Sequence, residues 1–406
     1  MALIVQKYGG TSVASADRIR NVAQRVTRRY DQGNQMVVVV SAMGDTTDDL
    51  LKLAYQISKE PDRRELDVLL STGEIVSSTL MTMALHEMGY QAISLSGAQA
   101  GIRTDSSYSK ARILDIETRR VDEELEKGNI VIVAGFQGIT GDMDVTTLGR
   151  GGSDTSAVAL AAALGAKACE RYSDVDGICT ADPRVVPEAR KLSEISYEEM
   201  LETATYGSKV IHARAVELGQ LYQIPILVAS SFNDNSGTLI HGGVAVEARN
   251  KVTGIAHDLD VAKITVVGIP DKPGVAAAIF EPLAKAGISV DTIVQNASVH
   301  NIADLSFTVT RGDLEKALQV IESVSGSIGA RECVSNARLG KVSIIGTGMQ
   351  NTPGYAARMF STLSAKNINI QLITTSEIRI TCIIDEAEVK EAVRALHRAF
   401  ELEKAG

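Results

Sequence analysis

The sequence predicts an α/β protein: a largely parallel central sheet sandwiched by helices, followed by two smaller modules built on one repeated pattern. Three observations carry this prediction. Over the first ~240 of the 406 residues, short β-branched runs alternate with helical stretches, the pattern of a layered fold with a parallel sheet. Most of those runs end in Gly, Ser or Asp, the residues expected where ligands sit at the carboxyl edge of such a sheet. The remaining residues contain an internal repeat too long for a solenoid unit.

The strand candidates, in order, are Leu3–Lys7, Met36–Ser41, Gln91–Ser96, Ile130–Gly135, Cys169–Ser173 and Ile226–Ala229. Each is a short apolar, mostly β-branched run bounded by turn residues. Helical patterns lie between them at Ser15–Gln32, Glu65–Met88, Ser109–Lys127, Thr155–Leu164 and Tyr197–Leu221. Asn, Asp, Ser and Gly then cluster at Ser231–Asn250, which reads as a loop-rich exit from the first domain.

The repeat begins with Ile264-Thr-Val-Val-Gly268 and Val342-Ser-Ile-Ile-Gly346. From Pro273-Gly274 and Pro353-Gly354 onward the copies match without a gap, through Phe280 and Phe360, Leu283 and Leu363, Ile288 and Ile368. Each copy reads strand, Pro-Gly turn, amphipathic helix, strand, strand.

Composition narrows the function classes. A net charge of −9 speaks against nucleic acid as the main partner, and the absence of Trp with only 4% aromatics leaves few stacking platforms for bases. The N-terminus lacks a basic region followed by a long apolar one, and no long uncharged apolar run is evident, so no membrane partner is expected. Cys169, Cys179, Cys333 and Cys382 are far apart and form no metal pattern, as expected of reduced thiols in a cytoplasmic protein.

Several strand-end segments carry chemistry. In Thr147-Leu-Gly-Arg-Gly-Gly-Ser-Asp154, glycines surround Arg150 directly before an alanine-rich helical pattern. Free N–H groups and one guanidinium at a helix start suit phosphate, carboxylate or both, although the loop alone also reads as a structural turn. Lys7-Tyr8-Gly9-Gly10 follows the first strand and suits a transferring phosphoryl group, the alternative being a solvated lysine before a tight turn. Ser41 ends the second strand, and Thr47 opens a helix where hydroxyls commonly cap. Thr72-Gly-Glu74 interrupts a helical pattern; Glu74 could receive an ammonium group but alone reads as a surface residue. Tyr172-Ser173-Asp174 and Thr180-Ala-Asp182-Pro-Arg184 are plausible nucleotide or Mg2+ loops, and equally ordinary turns. Lys209 lies on a helical pattern. Lys7, Ser41, Arg150 to Asp154 and Asp174 can converge on one sheet edge, and the histidines lie outside these loops.

These segments, together with Ala134-Gly-Phe-Gln-Gly138, Asp174-Val-Asp-Gly177 and Gly207-Ser-Lys-Val210, resemble the aspartate kinase family of the amino-acid kinase fold. The tail is similar to a pair of ferredoxin-like βαββαβ ACT domains, modules that bind amino-acid effectors. The resemblance implies a catalytic domain at 1–245, a linker and strand joining the second ACT module at 246–262, and ACT domains at 263–338 and 339–406. It implies transfer of the γ-phosphoryl group of ATP to the β-carboxylate of L-aspartate, the first step of lysine, threonine and methionine (and diaminopimelate) biosynthesis.

By the same resemblance Lys7, Arg150 and Asp154 are catalytic, and Thr47, Glu74, Arg150, Gly151, Gly152 and Ser153 bind substrate. Lys7, Tyr8, Gly9, Gly10, Ser41, Ser173, Asp174, Cys179, Asp182, Arg184 and Lys209 bind ATP, with Mg2+ arriving on the nucleotide. Lysine, threonine or both are implied as effectors, bound by Asp271, Gly274, Val275, Ala276, Ser289, Val290, Asp291, Gln295 and Asn296 in the first module. Gly354, Tyr355, Ala356, Asn369, Ile370, Ser376 and Glu377 serve the second, and a dimer or higher oligomer through the ACT domains is implied. The sequence departs from the family at Tyr8, usually Phe, at Cys179, often aromatic, at Ser208, usually Ala, and at His212-Ala-Arg214, which lacks a frequent Pro. A kinase for another amino acid such as glutamate and a catalytically inactive sensor are the competing readings.

Overall fold

Strands that are apolar at nearly every position must be covered on both faces, and the first part of the chain supplies helices for both. The computed structural model describes residues 2–208, 210–243, 252–296, 301–349 and 352–404. The chain divides into two compact units: Met1–Cys179 with Lys191–Thr205 and Lys209–Val246, and Thr180–Arg190 with Tyr206–Ser208 and Glu247–Gly406.

The first unit runs β1 (Leu3–Tyr8), α1 (Ala16–Tyr30), β2 (Gln35–Val40), α2 (Thr46–Ile57), α3 (Arg63–Glu87), β3 (Ala92–Leu95), β4 (Ile102–Thr104), β5 (Ile113–Ile116), α4 (Arg119–Glu126) and β6 (Ile130–Ala134). It continues with β7 (Gln137–Ile139), β8 (Val145–Thr147), α5 (Gly152–Ala163), β9 (Ala168–Ser173), β10 (Glu194–Ser196), α6 (Tyr197–Thr205), α7 (Ala213–Tyr222), β11 (Ile226–Ser230) and β12 (Thr238–His241). The main sheet has the order β10-β12-β11-β9-β1-β2-β6-β3, and only the β11–β12 pair is antiparallel. Alternation divides each strand between two cores. Val37 and Val39 pack with α4, α5 and α7, while Met36, Val38 and Val40 face α1 and α3. A small sheet, β5-β4-β7-β8, lies beside them.

The structure changes four expectations. Ser109–Lys127 is not one helix: Ile113–Ile116 is extended along β4, and the helix begins only at Arg119. Tyr197–Leu221 is two helices, parted at Gly207, where a Cβ would lie 1.8 Å from the His257 carbonyl oxygen. Gly73 does not break a helix. α3 runs straight through it, and the missing side chain lets the helix approach Ala42, whose Cβ a Cβ at Gly73 would meet at 2.8 Å. Within Ser231–Asn250, Thr238–His241 is a strand, and 244–250 lies outside the described residues. Among the described helices, α3 is also long and apolar enough to cross a membrane by length and composition, with half of that window packed inside the protein.

The second unit contains β13 (Gly254–Pro270), α8 (Val275–Lys285), β14 (Ile293–Asn296), β15 (Ile302–Val309), α9 (Leu314–Ile328), β16 (Glu332–Ile345), α10 (Tyr355–Ala365), β17 (Leu372–Ser376), β18 (Arg379–Asp385) and α11 (Val389–Ala399). These strands form one antiparallel sheet, β14-β15-β13-β16-β18-β17. The repeat appears as two βαββ units, with Leu283 and Leu363 fully buried at matching places. β13 and β16 each serve both: Ala262–Pro270 pairs with β15, whereas Gly254–Asp258 pairs with Lys341–Ile345. The strand before the first repeat thus joins the second.

Besides Glu247–Gly406, the second unit takes in a stretch from inside the expected catalytic domain. Ala181, Val185 and Val186 are buried in the core formed by β16, β18, α10 and α11, which places Thr180–Arg190 in the second unit.

Because the repeats place equivalent leucines at closed positions, Leu283→Ala and Leu363→Ala are each expected to destabilise the second unit by about 2–5 kcal/mol, read as an earlier urea transition. Equal exposure-driven losses of under ~0.5 kcal/mol would contradict the packing.

Candidate active site

β1, β2 and β9 are neighbours, so the residues that end them meet at one edge. Lys7 points to the α5 face, and its Nζ lies 2.6 Å from Asp154 Oδ1 in the first turn of α5. Arg171 on β9, register partner of Lys7, places Nε 3.5 Å from Asp154 Oδ2 and donates from a terminal nitrogen to Ser173 Oγ at 2.6 Å. Lys7 and Asp154 are both buried. Burial opposes the charge on each. For Asp154 the two cations outweigh it and hold the carboxyl below its ordinary range. Lys7 has only one anion and is repelled by Arg171, so burial prevails and its pKa is lowered. Within this ion group two cations face one carboxylate, which suits it to a further anion.

Glu74 faces the same edge from α3. One carboxylate oxygen accepts the Ala42 N–H at 3.2 Å, while the buried Oε2 has no hydrogen-bond partner among the described residues. Burial raises its pKa to about 7 against the Ala42 hydrogen bond and the nearby Lys7 charge. The surface reading of Glu74 is therefore wrong: α3 turns it inward because Gly73 lets the helix close on Ala42. Ser77 Oγ donates to the Ser41 carbonyl at 2.7 Å, tying α3 to the end of β2. Thr47 is half-buried in the first turn of α2 and does not cap it.

The glycine-rich loop is built by close approaches. Gly151 has φ +69°, and a Cβ there would lie 2.3 Å from the His212 side chain; one at Gly152 would lie 2.8 Å from Phe136. Gly152 N–H is taken by the Gly149 carbonyl at 2.9 Å, whereas Ser153 and Asp154 N–H at the head of α5 have no backbone partner among the described residues. Arg150 is exposed and makes no ion pair among the described residues. The loop is anchored behind. Fully buried Asp67 accepts Thr147 N–H at 2.8 Å, Thr147 Oγ1 at 2.7 Å and Ser109 N–H at 2.8 Å, and Arg214 donates to the Leu148 carbonyl at 2.8 Å.

Other expected residues divide differently. Tyr8 points to the opposite face of the sheet, where it stacks on Tyr172 at 5.1 Å, so its ring is excluded from this edge by strand alternation. Gly9 N–H is taken by the Tyr172 carbonyl at 3.1 Å, and Gly10 is needed for contact with the Ala42 carbonyl, 2.8 Å from a Cβ there. Both glycines therefore shape the edge. Ser173 is buried and Asp174 exposed; half-buried Cys179 bridges to Lys191. Asp182 and Arg184 belong to the second unit and pair with each other at 2.7 Å, while Lys209 lies outside the described residues.

In the second unit Gly274 (φ +95°) and Gly354 (φ +107°) start α8 and α10. Val275 is buried and Val290 and Ile370 pack partly into the core, so these three can offer only backbone; Ala276 is exposed and Ala356 half-buried. Asp291 is paired with Lys341, Gln295 Nε2 donates to Asp271 at 3.5 Å, and Tyr355 stacks on Phe400 at 6.2 Å. Ser289, Asn296, Asn369, Ser376 and Glu377 are exposed around these turns.

Arg171, Asp67, His212 and Arg214 were missed as site residues. Arg171 comes opposite Lys7 only through the pairing of β1 with β9, so no local signal marked it, and Asp67 and Arg214 carried none either. His212 corrects the expectation that the histidines lie away from these loops, because its ring abuts Gly151. Among the described residues no three His, Cys, Asp or Glu group as a metal site.

Glu74 sets a pH dependence. Its folded pKa of about 7 lies above the ordinary 4.5, so the stability of the ligand-free protein should be fullest below pH 4.5 as regards this group and fall as pH rises through 7. The difference amounts to about 3 kcal/mol. Glu74→Gln should remove that part of the slope in denaturant titrations between pH 5 and pH 8, and an unchanged slope would show Glu74 to be ionised throughout.

Comparison with known proteins agrees with this geometry. Residues 2–230 match the model of the amino acid kinase family, and 264–324 and 342–400 match an ACT domain. The aspartate kinase of Stutzerimonas stutzeri is 50% identical over 404 residues, covering 99% of this chain and 98% of its own. The structure of E. coli aspartokinase III in complex with aspartate and ADP superposes with a TM-score of 0.85 at 26% identity, covering 98% of this chain and 99% of that one. The same enzyme in complex with lysine and aspartate gives 0.74, with the same identity and coverage. With a full-length relative at half identity and the matching family model over most of the first unit, the chain belongs to the aspartokinases of the amino acid kinase family.

Proposed function

We propose that this protein transfers the γ-phosphoryl group of ATP to the β-carboxylate of L-aspartate, giving 4-phospho-L-aspartate and ADP. The observation that carries this reading is the Lys7–Asp154–Arg171 ion group beside the unpaired Glu74 oxygen. The cations suit a phosphoryl group, and the buried carboxylate suits an α-ammonium. The aspartate carboxylate is ionised at pH 7 and attacks phosphorus without a general base; its oxygen bonds to Pγ as the bond to the β,γ-bridging oxygen breaks. Lys7 offsets charge on the transferring group, Arg150 grips a substrate carboxylate, and Ser153 N–H with the head of α5 assists. Thr47 and Ser41 add hydroxyls. Ser173, Asp174, Asp182, Arg184 and Lys209 serve the nucleotide.

Mg2+ would enter on the ATP phosphates. The described residues fit that role, since exposed Asp174 can supply one oxygen while phosphates and water supply the rest. The ACT modules support feedback by lysine, threonine or both, as the lysine complex of the E. coli relative suggests, within the pathway to those amino acids. Four cysteines that form no disulfide among the described residues fit a cytoplasmic setting, and oligomerisation through the ACT sheet is part of the same reading.

Lys7→Ala should lower aspartate-dependent ATP turnover by roughly 100-fold or more. Arg150→Ala should raise the KM for aspartate roughly 10- to 100-fold with a smaller change for ATP. A panel including glutamate tests the acceptor: equal turnover of glutamate would replace this reading. Binding of aspartate near pH 7 should release protons from Glu74, measured by calorimetry in buffers of different ionisation enthalpy, and the release should vanish in Glu74→Gln.

A further inference from the structure

The glycine-rich loop that carries Arg150 is made of residues that do not hold one shape by themselves. Gly149 and Gly151 take φ of +76° and +69°, and glycine has more conformations to lose than any other residue. The head of α7 supplies what the loop lacks. Arg214 donates to the Leu148 carbonyl at 2.8 Å, directly before the loop, and to the Ala111 carbonyl at 3.1 Å. Ala111 N–H in turn donates to the Thr147 carbonyl at 3.0 Å, so one guanidinium ties both segments at the entry of the loop. Beyond Arg150, the His212 side chain fills the space that a side chain at 151 would take. A Cβ there would lie 2.3 Å from Cβ, 2.4 Å from Cγ and 2.6 Å from Cδ2 of His212.

Building α7 explains neither residue. His212 Nδ1 accepts Arg214 N–H at 3.3 Å and so caps the helix, but an asparagine or serine would cap it as well without a ring. Arg214 is half-buried and spends its donors on two carbonyls, with no carboxylate at ion-pair distance among the described residues. Burial, and after it the neighbouring Arg112, lower its pKa against Glu217 and Asp105. Two carbonyls are a poor exchange for a carboxylate, so stability alone does not account for an arginine here. The base from which both residues act is firm: Ala215 and Val216 of α7 share a core with Ala157, Val158 and Ala161 of α5.

We infer that Arg214 and His212 are positioning residues for aspartate: fixed on α7, they hold the loop at Leu148 and at Gly151, so that Arg150 between them is presented to a substrate carboxylate in one direction. This rests on the carboxylate role given to Arg150 above. An exposed arginine on an unsupported glycine loop would have to be ordered by the ligand itself, and the entropy of that ordering would be lost from affinity.

The test is steady-state kinetics of the full chain with ATP and Mg2+, the aspartate concentration being varied. Arg214→Met, which keeps the length and removes both donors, should raise the KM for aspartate roughly 10-fold, with kcat and the KM for ATP within about 3-fold of the parent. Arg214→Lys should not restore it, since one ammonium does not bridge two carbonyls as the planar guanidinium does. His212→Asn, which keeps the cap of α7 and removes the ring, should raise the same KM about 5-fold with an unchanged urea transition. In an Arg150→Ala background either change should add less than about 2-fold, because both act through Arg150. A His212→Asn chain that unfolds early or keeps the parent's KM, recovery in Arg214→Lys, or full additivity with Arg150→Ala each overturns the inference alone. An Arg150→Ala chain with the parent's KM for aspartate overturns the carboxylate role beneath it as well.

Discussion

The rest of the first unit is arranged around a buried ion pair, Lys7 with Asp154, seconded by Arg171. Charges removed from water cost several kcal/mol each unless closely partnered, so this group holds only while β1, β9 and the head of α5 stay in register. The parallel pairing of Lys7 with Arg171 and the start of α5 immediately after the glycine-rich loop are the conditions that meet this demand. The reward is chemical. A preformed positive site at the sheet edge needs no reorganisation when a phosphoryl group arrives.

Close backbone approach is the second constraint, and it explains why glycines rather than charged residues dominate the motifs. Gly10 meets Ala42, Gly73 brings α3 onto the end of β2, and Gly151 fits against His212. Each allows an element to approach where a methyl group would clash, and together they bring Glu74, Ser153 and Arg150 around one edge. Asp67 then acts from beneath, satisfying backbone and hydroxyl donors of Thr147 and Ser109 so that the loop has a fixed base. An aspartate with this many partners is a structural anchor, and the exposed Arg150 above it is left free to turn toward a ligand.

In the second unit, shared strands replace separable modules. β13 is seventeen residues long and bulged between Asp258 and Lys263, which lets its two halves serve the two repeats. β16 does the same on the other side. Neither repeat closes its sheet alone, so the pair forms a single continuous sheet, and the helices α10 and α11 also cover Ala181, Val185 and Val186 from a distant part of the sequence.

The sequence by itself determined the layered α/β class, the main strands of the parallel sheet, the repeat with its buried leucines, and the gathering of Lys7, Ser41 and Asp154 at one edge. These follow from local pattern: β-branched runs, helical periodicity, and turn residues at strand ends. It could not determine which polar residues face inward. Glu74 looked like surface because its burial depends on Ala42, thirty-two residues away in sequence, and Tyr8 looked like a ligand residue because alternation assigns faces only once the sheet is formed. Short strands such as β4 and β7 were illegible because three residues carry no period. Only the tertiary structure decided that Thr180–Arg190 packs with the second unit and that Arg171 joins Asp154, since both depend on contacts between segments whose separation no local propensity records.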